Sequence, residues 1–130
     1  MHTRHVVVWL DHSEAHVIHF NREGSEAEHI RATAKPHRHV KANARTGSGR
    51  SAEDRAYLDA VVSAVEDAEE ILVVGPGSEK VSLYKHMLEA HHPVAEKVVS
   101  VESADHPTDA QLLAYARKYF VASDRMRHGT

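Results

Sequence analysis

The chain has 130 residues, 42 % apolar and 27 % charged, with a formal net charge of −3 when histidine is neutral. This is the size and composition of one globular domain, large enough to bury roughly two-thirds of its unfolded surface without a covalent staple. Cysteine is absent, which excludes disulfides, thiolate catalysis and cysteine-based zinc or iron–sulfur sites, and no apolar run approaches the ~18 residues of a membrane helix.

In chain order, Arg4 to Leu10 is nearly continuous β-branched and apolar sequence and reads as a central strand buried on both faces. Preceded only by Met1-His2-Thr3, this run is too short for a signal peptide, so a cytoplasmic protein is expected. Asp11 to Glu14 is a polar turn. In a second strand from Ala15 to Phe20, alternation sends His16, Ile18 and Phe20 to one face and Ala15, Val17 and His19 to the other. After a turn at Asn21 to Ser25, Glu26 to Thr33 forms a more polar strand, suited to a sheet edge. These three strands make an antiparallel meander.

Residues 34–50 contain Pro36, Gly47 and Gly49, show no hydrophobic period and read as a long mobile loop. Ser51 is placed to cap a helix in which Leu58, Val61, Val62 and Val65 recur as one buried stripe. Ile71 to Val74 is a short apolar run before Gly75-Pro76-Gly77 and reads as a buried parallel strand. A helix begins at Ser78 or Glu79, with Val81, Tyr84 and Leu88 on one face and Leu83 and Met87 beside them, and ends before Pro93. Lys97 to Val101 is a fifth strand. Thr108-Asp109-Ala110-Gln111 has the capping-box pattern and opens a helix whose stripe is Leu112, Tyr115, Ala116 and Tyr119, backed by Leu113 and Phe120. Residues 124–130 read as a flexible tail.

The order β-β-β-α-β-α-β-α with right-handed crossovers predicts an α/β domain spanning residues 1–130. Its mixed five-stranded sheet takes the order 3-2-1-4-5 with helices on its faces, the three-layer ribonuclease-H-like layout. Fold alone assigns no function.

The charge is unevenly placed. From Arg31 to Arg50 stand Arg31, Lys35, Arg38, Lys41, Arg45 and Arg50, with no acidic residue among them. The segment therefore carries +6 and the remainder −9. Charge of one sign gathered on a flexible tether can follow a nucleic-acid backbone. Few aromatics accompany it, so contact would be with phosphate, weakly sequence-specific and salt-sensitive. A second anion site is conceivable at the strand–turn–helix junction of Gly75, Gly77, Ser78 and Lys80, where helix-start amides attract anions, although Glu79 would repel phosphate there. The junction lacks the phosphate-loop pattern, and a tight structural turn explains it more simply.

Catalytic and metal chemistry find less support. Two-metal nucleases need a carboxylate cluster, and the sequence offers only Asp11, Asp105 and, in direction only, Glu28 on the third strand; polar turns explain Asp11 and Asp105 more simply. The 13 histidines give the spacings His12/His16, His37/His39 and His91/His92 but no His-Glu-x-x-His motif, and read as scattered surface residues. No catalytic residue, metal or cofactor is expected.

The stretch from Ile71 to Phe120, above all Gly75-Pro76-Gly77-Ser78-Glu79-Lys80 followed by a helix and the Lys97-Val98-Val99 strand, resembles the middle domain of archaeal and eukaryotic peptide-chain release factors and of pelota. The first half agrees in layout: a meander, then an exposed basic loop leading into a long helix. Small stand-alone bacterial domains grouped as translational machinery proteins share this likeness. The resemblance implies a translation-related partner, the ribosome with its ribosomal RNA or tRNA. It also carries a departure. Release factors place Gly-Gly-Gln in the loop before the long helix, where the glutamine helps position water. Here the place reads Thr46-Gly47-Ser48-Gly49-Arg50-Ser51, and the one glutamine, Gln111, lies in the last helix. In this lack the chain resembles pelota, which acts in ribosome rescue; the flanking codon-reading and partner-recruiting domains are not expected here either. The expectation is a non-enzymatic ribosome- or RNA-associated module, acting in hibernation, rescue or stress protection. A protein-interaction module, with the loop ordering on an acidic protein partner, is the alternative, and a divalent-metal nuclease a third.

Overall fold

The computed structural model describes residues 4–32 and 52–127. The elements are β1 (His5–Leu10), β2 (Glu14–Phe20), β3 (Ser25–Arg31), α1 (Ala52–Val65), β4 (Glu70–Gly75), α2 (Glu79–Ala90), α3 (His92–Ala95), β5 (Val98–Ser103) and α4 (Asp109–Arg127). One sheet takes the order β3-β2-β1-β4-β5, as the sequence predicts. β1 pairs antiparallel with β2 and parallel with β4, and β4 pairs parallel with β5. The hydrophobic run of β1 explains its place: Val6, Val7, Val8 and Leu10 have no exposed surface, because helices cover both faces of the central strand.

Alternation divides the core in two. Val6, Val8, Leu10, Ala15, Val17, Ile71 and Val73 face α1, α2 and α3 and meet Leu58, Val61, Val65, Leu83 and Met87. Val7, Trp9, Ile18, Phe20, Leu72 and Val74 face α4 and meet Leu112, Ala116 and Phe120. The second strand thus presents its residues as its period requires, His16 toward α4 and His19 toward α1, where His19 Nε2 lies 2.8 Å from the Ala64 carbonyl oxygen.

Two local expectations need correction. In α2 the buried pair is Leu83 and Met87, while Val81 and Leu88 remain 42 % and 41 % exposed. The apolar residues of this helix form two adjoining stripes, and the sheet takes the i, i+4 pair. In α4, Leu112, Ala116 and Phe120 are buried and Tyr115 is exposed, with its hydroxyl donating to Glu102. α2 ends at Ala90, before Pro93 as expected, and Pro93 itself sits in the first turn of the four-residue α3, where its missing N–H has no intrahelical role.

The capping box at α4 is realised in both directions. Thr108 N donates to Gln111 Oε1 at 2.9 Å, and Gln111 N donates to Thr108 Oγ1 at 3.1 Å. The helix continues through Arg127, into the segment expected as a tail. The Ser51 cap, the residues 34–50 read as a loop, and residues 128–130 lie outside the described residues.

Candidate functional site

The carboxyl ends of the parallel strands β1, β4 and β5 share one edge of the sheet, the usual place for ligands in open α/β folds. β3 ends at this same edge, since Glu14 at the start of β2 pairs with Arg31 at the end of β3. The basic segment therefore leaves the sheet here, continued by Ala32, whose N–H donates to the Ser13 carbonyl at 2.8 Å. Tyr57, in the second turn of α1, donates its hydroxyl to the Asp11 carbonyl at 2.9 Å, fixing the start of α1 to the same edge. Burial, with Asp11, Glu79 and Glu14 nearby, holds this phenol far above the ordinary tyrosine range. Both roots of the basic segment are thus built into one end of the molecule. Sequence reasoning passed over Tyr57, one place before the Leu58 stripe.

Of the six basic residues nominated, Arg31 is described. Its side chain is 79 % exposed, and its Nη1 lies 3.8 Å from Glu14 Oε1. An exposed pair at that distance is weak and leaves the guanidinium at the surface. Lys35, Arg38, Lys41, Arg45 and Arg50 lie outside the described residues.

The Gly75–Lys80 junction also reaches this edge, and its residues have mostly structural work. A Cβ at Gly75 would stand 2.3 Å from the Leu10 carbonyl oxygen, so β4 approaches β1 closely only with glycine there. Lys80 Nζ donates to the Gly77 carbonyl oxygen, turning the cation onto its own loop. Ser78 caps α2 without a side-chain hydrogen bond, and its carbonyl accepts from the amides of Val81 and Ser82. Gly77 has open space around its Cα.

The carboxylates weighed for nuclease chemistry are dispersed in role. Asp11 Oδ1 accepts from the amides of Ser13 and Glu14 at 2.8 and 2.9 Å, the turn role expected of it. Desolvation opposes its ionisation, but these two amides, with His12 and His106, outweigh that and hold its carboxyl below the usual range. Asp105 contributes its backbone carbonyl, accepting from Trp9 Nε1 at 2.5 Å. Beside it a hollow of about 330 Å³ opens between the end of β5 and the start of α4, lined in part by Ala104, His106, Pro107 and Tyr115.

The histidines depart most from expectation. Many are paired with carboxylates instead of being scattered. His5 Nε2 meets Glu70 at 3.2 Å across the β1–β4 pair, and two groups of three form where the sequence suggested no cluster. In one, His16 Nδ1 and His29 Nε2 each lie 2.9 Å from a different oxygen of Asp109. In the other, His86 Nε2 and His91 Nε2 lie 2.6 and 2.9 Å from the same oxygen of Asp59. The hydrogen bond from His16, reinforced by His29 and against desolvation, keeps the Asp109 carboxyl below its usual range; those from His86 and His91 do the same for Asp59. Among the described residues these are the groups of three or more histidine and carboxylate side chains close enough to share a cation. The spacings singled out in sequence do not make them: His16 joins His29, not His12, and His91 joins His86, not His92.

Comparison with solved structures places this geometry. No protein-family model matches the chain, and no curated protein does. Pelota from Archaeoglobus fulgidus matches over 96 % of this chain and 35 % of its own, at 14 % identity and a TM-score of 0.65. The archaeal translation termination factor aRF1 matches over 96 % of this chain and 39 % of its own, at 9 % identity and a TM-score of 0.61. Archaeal Pelota in a model of its ribosome-bound form with ABCE1 matches over 83 % of this chain and 30 % of its own, at 23 % identity and a TM-score of 0.59. The chain thus has the fold of one release-factor-like middle domain and spans about a third of the length of the solved proteins it matches.

Proposed function

We propose that this domain is a translation-related, ribosome-associated binding module that contacts RNA phosphates through the basic segment from Arg31 to Arg50. The observation that carries the reading is the extent of the shared fold: almost the whole chain superposes on a domain of proteins that include a ribosome-bound factor. The position of the basic segment supports it. Arg31 at the end of β3 and Tyr57 in α1 stand at one edge of the sheet, and the sequence between them carries no acidic residue up to Arg50. The role is one of binding, without catalysis. The segment Thr46 to Ser51 has no glutamine to position water, so peptide release by the route of the release factors is not part of it. Ribosomal RNA or tRNA is the partner, and rescue or hibernation is the setting such a contact would serve.

Co-sedimentation with ribosomes at low and moderate salt tests this. Pelleting that weakens steeply as salt rises is expected. Absence of the protein from the ribosome pellet at low salt would reject the reading.

A second reading has one observation in its favour. Val81 and Leu88 stand partly exposed on the same side of α2, where a protein partner would meet apolar side chains. On that reading a partner is captured after nuclease treatment, without ribosomal proteins, and Val81→Ser with Leu88→Ser abolishes the capture.

A further inference from the structure

The cluster of His16, His29 and Asp109 is built differently from an ordinary surface ion pair. His16 and His29 are directly opposed in the β2–β3 register, with ring centroids 4.1 Å apart. Asp109 comes from the first turn of α4, held in place by the reciprocal Thr108–Gln111 cap. Three rigid elements therefore aim two imidazole nitrogens and a carboxylate at one point, and the three ligand atoms lie within 4.8 Å of one another. Asp109 gives a separate oxygen to each histidine, each 2.9 Å away. Around a metal with bonds of ~2.0–2.1 Å, tetrahedral ligand atoms stand about 3.3 Å apart, so each histidine–carboxylate distance needs to open by only a few tenths of an ångström. The other nitrogen of His16, Nε2, lies 3.5 Å from Glu14 Oε2. A carboxylate at the far side of a ligating imidazole is the usual partner that fixes its tautomer and raises its basicity.

We propose that His16, His29 and Asp109 form a binding site for a single divalent transition cation of the zinc, cobalt or nickel class. Two imidazoles and one carboxylate suit these borderline ions better than magnesium or calcium, which prefer all-oxygen shells. His29 is half exposed, so water completes the coordination from the solvent side. The cation replaces the protons now shared between the histidines and Asp109 and joins the β2–β3 edge to α4. Through Glu14, which also faces Arg31, the site adjoins the root of the basic segment.

The chain carries its own reporter. Trp9 is the single tryptophan, it is 3 % exposed, and its ring lies edge-on to His16 with centroids 5.4 Å apart. Titration of the intact protein with Co²⁺ or Ni²⁺ alone is expected to quench Trp9 emission, saturating at one equivalent. Zn²⁺ should compete the quenching away, and a chelator should reverse it. His29→Ala and Asp109→Asn should each abolish the saturable quench while circular dichroism stays native. Glu14→Gln should weaken binding about tenfold or more, as removal of such an orienting carboxylate does. His86→Ala, on the opposite face of the sheet, should leave the quench intact. His106 lies near Trp9, with centroids 4.8 Å apart, and supplies the contrary case. A quench that survives His29→Ala, one that is lost instead with His106→Ala, or no saturable quench at all would each overturn the proposal.

Discussion

The two faces of the sheet solve the same problem with different means. One face is covered by α1, α2 and α3 over a broad aliphatic core of valine, leucine and methionine. Among the described residues the other is covered by α4, over a smaller core rich in aromatic rings, with Trp9, Phe20 and Phe120. Polar ties also hold α4 to its face. Arg117 Nη1 donates to the Asn21 carbonyl at 2.8 Å and its guanidinium lies 5.4 Å from the Phe20 ring centroid. His16 and His29 bind Asp109 at the other end of the same helix. Among the described residues each face also has one aspartate flanked by two histidines, and the two groups are not equivalent. Asp59 offers one oxygen to two histidines of the α2 end and ties helix to helix. Asp109 divides its oxygens and ties a helix to a strand pair. The same residue types give a local clasp in one place and an open ligand set in the other.

The largest effect should come from the aliphatic face. Leu83→Ala should cost about 2–5 kcal/mol in urea unfolding, whereas Val81→Ala on the same helix should change stability by less than about 0.5 kcal/mol. Equal costs would mean that α2 does not bury the side described. Next comes the seam where β4 meets β1. Gly75→Ala should destabilise by about 1–3 kcal/mol because its Cβ meets the Leu10 carbonyl, while Gly77→Ala, in open space, should be nearly neutral.

On the aromatic face, Thr108→Ala should cost about 1 kcal/mol in the same measurement by removing the cap of α4. The smallest effect comes from the two aspartates and is read by pH. Each has its folded-state pKa below the ordinary 3.8, so each contributes stability that is present above that value and is lost as pH falls through the lower folded value. Melting temperature followed from about pH 6 down to about pH 2.5 should fall at the acid end. Asp59→Asn and Asp109→Asn should each flatten part of that fall, and a double variant with an unaltered acid limb would break the comparison.

Much of this was legible in the residues. The unbroken apolar run of β1 has one comfortable place in a sheet, the centre, and the polar β3 has another, the edge. The Thr108–Gln111 cap is a local pattern and forms as local chemistry dictates. The side of α2 that is buried was not legible, because Val81/Leu88 and Leu83/Met87 are adjoining stripes and only the sheet beneath chooses between them. The histidine groups were legible in part. A hairpin that pairs Phe20 with Ser25 must also pair His16 with His29, since antiparallel register runs outward from the turn. Asp109 lies 80 residues beyond His29 and is brought in only by the docking of α4. Asp59 meets His86 and His91 through the packing of α1 beside α2, for which no spacing along the chain gives a sign.

On the proposed function, charge between Arg31 and Arg50 holds this domain on RNA. The most direct measurement compares ribosome co-sedimentation of the native chain with a variant carrying Arg38→Glu, Lys41→Glu, Arg45→Glu and Arg50→Glu, across a range of salt. The native protein should pellet at low salt and the variant should stay in the supernatant. Single substitutions should flatten the salt dependence by roughly one unit for each phosphate that is no longer neutralised. Pelleting of the variant to the same extent as the native chain, with the same salt dependence, would contradict it.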